Sequence, residues 1–185
     1  IALAFNRLSI RDLSNLGHQP MQEESYTIIF NGEIYNFLKL REELIQLGYS
    51  FKSNSDTEVL LKGFIQWDKQ ILEKITGMFA FVIYDQKRNQ IFGARDLFGE
   101  KPLHYSFSSN EFKFASEIKS FKTLDDFSDE ASFDSVSHYL QKGYFEKGKT
   151  VYKDIQEIKP AEYFIFEIDK WKLTKQRLQR SYGTA

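Results

Sequence analysis

Two rhythms of apolar residues run along this chain, one at helical spacing and one in short β-prone runs. Phe37, Leu40, Leu44 and Leu47 recur every three or four residues, which predicts a helix opened by Asn36 and closed at Gly48. Val59, Leu60, Phe64 and Trp67 repeat the pattern and predict a second helix over residues 56–67. Ser55 and Glu58 just ahead of that stripe form a capping-box pattern. The serine oxygen can accept from the Glu58 N–H while the glutamate side chain reaches back to the Ser55 N–H. A third helix is expected over residues 132–141, with Phe133, Val136 and Leu140 on one side and Gly143 at its exit. Ser116 is placed to cap a short helix running through Phe121.

Elsewhere the period shortens. Residues 26–30 read as a strand ending in a tight turn at Asn31-Gly32. Residues 79–84 and 90–94 flank a polar turn and read as a hairpin, as do residues 103–107 and 111–115 around Ser108-Ser109-Asn110. Further strands are expected at 150–153 and at 162–168, where a turn at Asp169-Lys170 leads into a returning strand from Trp171. Helices followed by hairpin-connected strands argue for an α+β domain of antiparallel sheets with helices on their outer faces. The boundary is expected at Thr174, with residues 175–185 as a frayed tail or linker.

Composition narrows the function classes. A chain of 185 residues, 42% of them hydrophobic and 16% aromatic, can bury one sizeable core. A formal net charge of -1 gives no global field for nucleic acid, and no apolar run approaches the roughly 20 residues that cross a bilayer. A soluble cytoplasmic protein is expected. With no cysteine there is no disulfide, thiolate metal site or thiol nucleophile in these residues. His18, His104 and His138 stand singly, without metal-ligand spacing, so no metal site is expected.

Chemistry concentrates in three segments: Arg7-Leu8-Ser9-Ile10, Asn31-Gly32-Glu33-Ile34-Tyr35-Asn36 and Ser55-Asp56-Thr57-Glu58-Val59. The Asn31 side-chain amide and the Gly32 backbone N–H are two donors that can converge on one oxygen, although Asn-Gly is also a common hairpin turn. Arg7 has the fork geometry to clamp a carboxylate, or to pair with a nearby acid such as Asp12. Asp56 suits an ammonium group, or equally the positive end of its own helix. Arg95-Asp96-Leu97-Phe98-Gly99 is expected to shape the fold, with Arg95 paired to Asp96 or Glu117.

Taken together the three segments closely resemble the glutamine-hydrolysing domain of asparagine synthetase, a class II glutamine amidotransferase domain. Gly77-Met78-Phe79-Ala80-Phe81 and Phe114-Ala115-Ser116-Glu117-Ile118-Lys119 add to the resemblance, which continues more loosely to Lys159-Pro160. It implies an N-terminal-nucleophile hydrolase fold, an αββα sandwich of two antiparallel sheets, incomplete at the N-terminus. It further implies Asn31 and Gly32 as the oxyanion hole, Arg7 on the substrate α-carboxylate, and Asp56 with Glu33 at the α-ammonium. The family nucleophile is an N-terminal cysteine, and this chain starts at Ile1. The resemblance places that cysteine and its strand upstream of Ile1, so residues 1–174 are expected to be an N-terminally truncated amidotransferase domain.

The implied parent reaction is hydrolysis of L-glutamine to glutamate and ammonia, the ammonia serving ATP-dependent amidation of aspartate. As written the chain is expected to be inactive. Its expected partners are L-glutamine, a synthetase domain in cis or in trans, and a second copy in a homodimer. No cofactor is expected in this chain; ATP and Mg belong to the absent synthetase domain. Three alternatives stay open. They are a non-catalytic domain binding an amino acid, an interaction module with an exposed sheet edge, and a sister amidotransferase making amidated sugars or cell-surface polymers.

Overall fold

A computed structural model describes residues 1–6 and 14–178. Its framework is a six-stranded antiparallel sheet in the order β1-β2-β3-β4-β8-β9. The strands are β1 (Met21–Glu23), β2 (Tyr26–Ile34), β3 (Gly77–Asp85), β4 (Gln90–Arg95), β8 (Glu162–Glu167) and β9 (Lys172–Arg177). A smaller sheet is ordered β6-β5-β7, from β5 (His104–Phe107), β6 (Phe112–Ala115) and β7 (Gln156–Glu157). The helices are α1 (Phe37–Gln46), α2 (Asp56–Trp67), the single turn α3 (Ile71–Lys74) and α4 (Phe133–Lys142).

Alternation along each strand explains the layering. Successive side chains leave a strand on opposite faces. Ile28, Phe30 and Ile34 of β2, with Phe79, Phe81 and Ile83 of β3, join Leu40, Leu44, Leu60 and Phe64 of α1 and α2 in one buried cluster. Residues of the other parity, Ala80 and Val82 of β3 with Phe164 and Phe166 of β8, pack on Leu103 and Tyr105 beside the smaller sheet. The large sheet is thus apolar on both faces, and helix, sheet and sheet stack in that order.

The expected hairpins form, with Phe81 opposite Ala94 in one and Tyr105 opposite Phe114 in the other. The second helix spans its predicted residues, and Ser55 Oγ accepts from the Glu58 N–H at 3.2 Å. The reciprocal half of the box differs. Glu58 turns its carboxylate to the N–H groups of Lys52 and Ser53 and to Lys62 Nζ, 2.8 Å away. Burial alone would raise the Glu58 pKa, but the hydrogen bonds from Lys62, Ser53 and Lys52 outweigh it and hold the group below its ordinary value. Lys62 is 3% exposed, and its ammonium also meets the Ser50 carbonyl.

Five local expectations are corrected. Asn31-Gly32 is not a turn: β2 continues through both residues to Ile34, pairing Asn31 with Ala80 and Gly32 with Phe79. Asn36 sits at the head of α1 without capping it, because its amide bridges the Lys74 carbonyl and the Thr76 N–H instead. Residues 150–153 form no strand, only an isolated bridge between Ala131 and Tyr152, since the Thr150 hydroxyl bonds to backbone within the loop. The turn after β6 is 3-10, over Ile118–Thr123, and starts at Glu117 without a side-chain cap from Ser116. Phe133 and Leu140 of α4 are 88% and 79% exposed. Beyond Thr174, β9 keeps pairing to Arg177 opposite Glu162. Residues 179–185 lie outside the described residues.

The approach of β2 to β3 explains the glycine at position 32. A Cβ there would stand 2.2 Å from the Met78 carbonyl oxygen, and φ is +150°. Gly77, diagonally placed, would put its own Cβ 2.1 Å from the Glu33 carbonyl oxygen. Gly32→Ala is therefore expected to force the two strands apart and to lower stability by roughly 1–3 kcal/mol, as overpacking does. Urea denaturation of variant and parent chain checks this.

Candidate functional site

Between the two sheets lies a cleft of about 900 Å³ bordered by Asn31, Gly32, Glu33, Asp56, Leu103 and Ser116, among others. Four of the five residues singled out from the sequence therefore share one wall. The fifth, Arg7, lies outside the described residues. Asn31 and Glu33 have the same parity as Ile29, which packs in the cluster between the sheets, so the pleat turns both toward the cleft. Asn31 Nδ2 donates to Ser116 Oγ at 3.4 Å, a link from the large sheet to the end of the second hairpin.

The Gly32 N–H faces the other way from β3, as the pairing shows. In antiparallel pairs, residues alternate between exchanging both backbone bonds and exchanging neither. The Phe79 N–H and C=O are bonded to Asp96 on the β4 side, so its partner Gly32 exchanges none with it. The Gly32 amide consequently points out of the edge of β2 away from β3, past the short β1. On that edge the Phe30 N–H is taken by Gln19 Oε1 at 2.5 Å and the Ile34 N–H by Asp56 Oδ2 at 2.9 Å. Gly32 sits between two side chains that replace a neighbouring strand.

Asp56 owes its position to α2. It is the first residue of the helix, after the Ser55 cap, where a carboxylate is favoured by the helix dipole. The loop before it is tied down by Glu58 and by Arg41 Nη1 donating to the Ser53 carbonyl at 2.8 Å. One Asp56 oxygen thus holds β2 while the carboxylate borders the cleft. Residues carrying acceptor oxygens and N–H donors border one cleft, a combination suited to a ligand carrying both an ammonium group and an amide carbonyl.

Arg95 and Asp96 hold the loop that borders the cleft at Lys101. Arg95 does not pair with Asp96 or Glu117 as expected, but with Glu157 Oε1 at 2.9 Å, on a strand remote in sequence. Its guanidinium also donates to the carbonyls of Gly99, Lys101 and Ile158, each at 2.7 Å. Asp96 accepts from the N–H groups of Phe98, Glu100 and Lys101 and, at 3.2 Å, of Phe79. Adjacent opposite charges therefore divide one loop between them, the arginine taking its carbonyls and the aspartate its amides. That loop delivers Lys101 and Leu103 to the cleft.

Sequence reasoning missed Gln19, whose only local signal is its place before Pro20 and β1. The histidines take separate places. His18 Nε2 meets Asn15 Oδ1, His138 packs on Tyr144, and His104 Nδ1 meets the Ser116 carbonyl at 3.2 Å. Burial lowers the His104 pKa, against an opposing pull from Glu157. Among the described residues no cluster of three or more His, Asp or Glu could hold a metal, and no helix is long and apolar enough to cross a membrane.

Comparison with known proteins places this geometry in context. A glutamine amidotransferase domain family matches residues 1–179. Asparagine synthetase [glutamine-hydrolyzing] 1 of Bacillus subtilis is 38% identical over 171 residues, 91% of this chain and 27% of that protein. Putative asparagine synthetase [glutamine-hydrolyzing] 2 of Methanocaldococcus jannaschii is 32% identical, over 95% of this chain and 37% of that protein. The chain thus spans between a quarter and two fifths of the length of these curated relatives. Among solved structures, the glutamine phosphoribosylpyrophosphate amidotransferase of B. subtilis superposes with a TM-score of 0.61 at 21% identity, covering 86% of this chain and 31% of that one. At that identity the likeness concerns the fold alone.

Proposed function

This chain belongs to the glutamine amidotransferase domain family, and from that premise we propose that its cleft grips free L-glutamine. Asp56, with Glu33 beside it, receives the α-ammonium; Arg7 takes the α-carboxylate; Asn31 Nδ2 and the Gly32 N–H point at the side-chain carbonyl. The observation that carries this reading is the shared wall of Asn31, Gly32, Glu33 and Asp56, with the Gly32 amide directed off the sheet edge. In an acyl transfer, two such donors would stabilise the oxyanion of the tetrahedral intermediate.

The whole reaction needs parts that these residues do not supply. No cysteine is present, so the 185 residues offer no thiol to attack the amide, and the chain as given binds glutamine without turning it over. The family's wider chemistry, glutamine hydrolysis feeding ammonia to a synthetase domain that amidates aspartate, would then require that missing group and a partner domain in cis or in trans. Support comes from the two asparagine synthetases named above, whose names include glutamine hydrolysis.

Titration calorimetry tests the reading. Glutamine should give saturable one-to-one heat, lost in Arg7→Ala, while a mass-verified preparation releases no glutamate. Absence of heat up to tens of millimolar glutamine, or a sustained glutaminase rate, contradicts it.

A further inference from the structure

The geometry points to Gln19 as a positioning residue, one whose carboxamide sets the distance between the Gly32 N–H and the Asp56 carboxylate. The proposal rests on the glutamine-binding reading and deepens it. Among the described residues β1 pairs with β2 only as far as Met21 opposite Ile28, and no described strand lies beside the next outward-facing backbone groups of β2, at Phe30. Gln19 fills that place with its side chain. Its Oε1 accepts from the Phe30 N–H at 2.5 Å and its Nε2 donates to the Phe30 carbonyl at 3.1 Å, the pair of bonds a neighbouring peptide would make.

The same Nε2 lies 3.4 Å from Thr57 Oγ1, on the first turn of α2 next to Asp56. One planar amide therefore touches the residue before Asn31 and the residue after Asp56. The two elements it joins carry the two halves of the proposed grip. On the far side of Gly32, Asp56 itself bonds the Ile34 N–H. Gly32 is held from both directions, and Gln19 is the side that binds no substrate group itself. A displacement of under an ångström between donor and carboxylate would weaken both ends of a small ligand at once.

The 185-residue chain carrying Gln19→Ala, Thr57→Val or both changes tests this, with amide hydrogen exchange, amide chemical shifts and glutamine affinity as readouts. Gln19→Ala should speed exchange of the Phe30 amide at least about tenfold, move the Gly32 and Ile34 amide resonances, and raise the glutamine Kd about tenfold. Thr57→Val should raise Kd less, and the double variant should bind no worse than Gln19→Ala alone, because the two side chains act through one link. Gln19→Glu keeps an acceptor for the Phe30 N–H and should restore its protection. Fast Phe30 exchange with unchanged Kd and unmoved Gly32 resonance would overturn the proposal, as would fully additive losses. If the parent chain binds no glutamine, the functional reading fails, and the Gly32 and Ile34 shifts in Gln19→Ala alone decide whether Gln19 positions this edge.

Discussion

Replacing Asp96 with alanine is expected to destabilise the domain by about 3–5 kcal/mol. Asp96 is 1% exposed, and its carboxylate accepts from four backbone amides. Each buried donor left without an acceptor costs about 1–3 kcal/mol, reduced where water can enter. Phe98 and Glu100 lie at the surface and can recover water, whereas Phe79 lies in the core and cannot. Arg95 adds to the loss. It is 5% exposed and depends on the Gly99 and Lys101 carbonyls, which move when the loop loses its amide anchor. Against a total of about 5–15 kcal/mol for a typical domain, the change removes a large share. Asp96→Asn retains one acceptor and should lose less. Guanidinium denaturation ranks the three chains; equal midpoints for parent and Asp96→Ala would show that the loop holds without its carboxylate.

Asp56→Asn should separate binding from folding. The substitution keeps a side-chain oxygen for the Ile34 N–H, so the strand-to-helix link survives. It removes the charge from the head of α2, which lowers stability by about 0.3–1 kcal/mol. A charge-assisted hydrogen bond to an α-ammonium is worth about 1.5–3 kcal/mol, so the glutamine Kd should rise roughly ten- to 150-fold. Calorimetry and a thermal melt on the same sample read the two effects. A Kd within twofold of the parent chain would remove Asp56 from the proposed grip.

The sequence made local features legible and left non-local ones hidden. The bounds of α2 and its Ser55 cap were readable because apolar spacing and the first-turn residues act within a few positions of each other. The two hairpins were readable for the same reason. Asn31-Gly32 misled because the turn signal is local, whereas the partner that makes it strand is β3, nearly fifty residues on. Arg95 found Glu157 and the Ile158 carbonyl, contacts no neighbouring residue announces. Gln19 was hidden because a side chain standing in for a strand leaves no periodicity. The exposed stripe on α4 shows the reverse, an apolar pattern that need not face this chain's own core.

The candidate residues were named from family-like segments, and the cleft adds what those segments lacked: a direction for the Gly32 amide and a reason for it. Asn31 alone would be a strand residue with a hydrogen bond to Ser116. Beside an outward amide and a helix-start carboxylate it becomes one of three polar groups bordering one cleft.

An NMR titration of the labelled chain with L-glutamine tests the proposed grip most directly. The Gly32 backbone amide, the Asn31 side-chain NH2 and the Ile34 amide beside Asp56 should shift together along one saturable curve, with D-glutamine far weaker. Shifts confined to other parts of the molecule, or none at tens of millimolar ligand, would contradict the account.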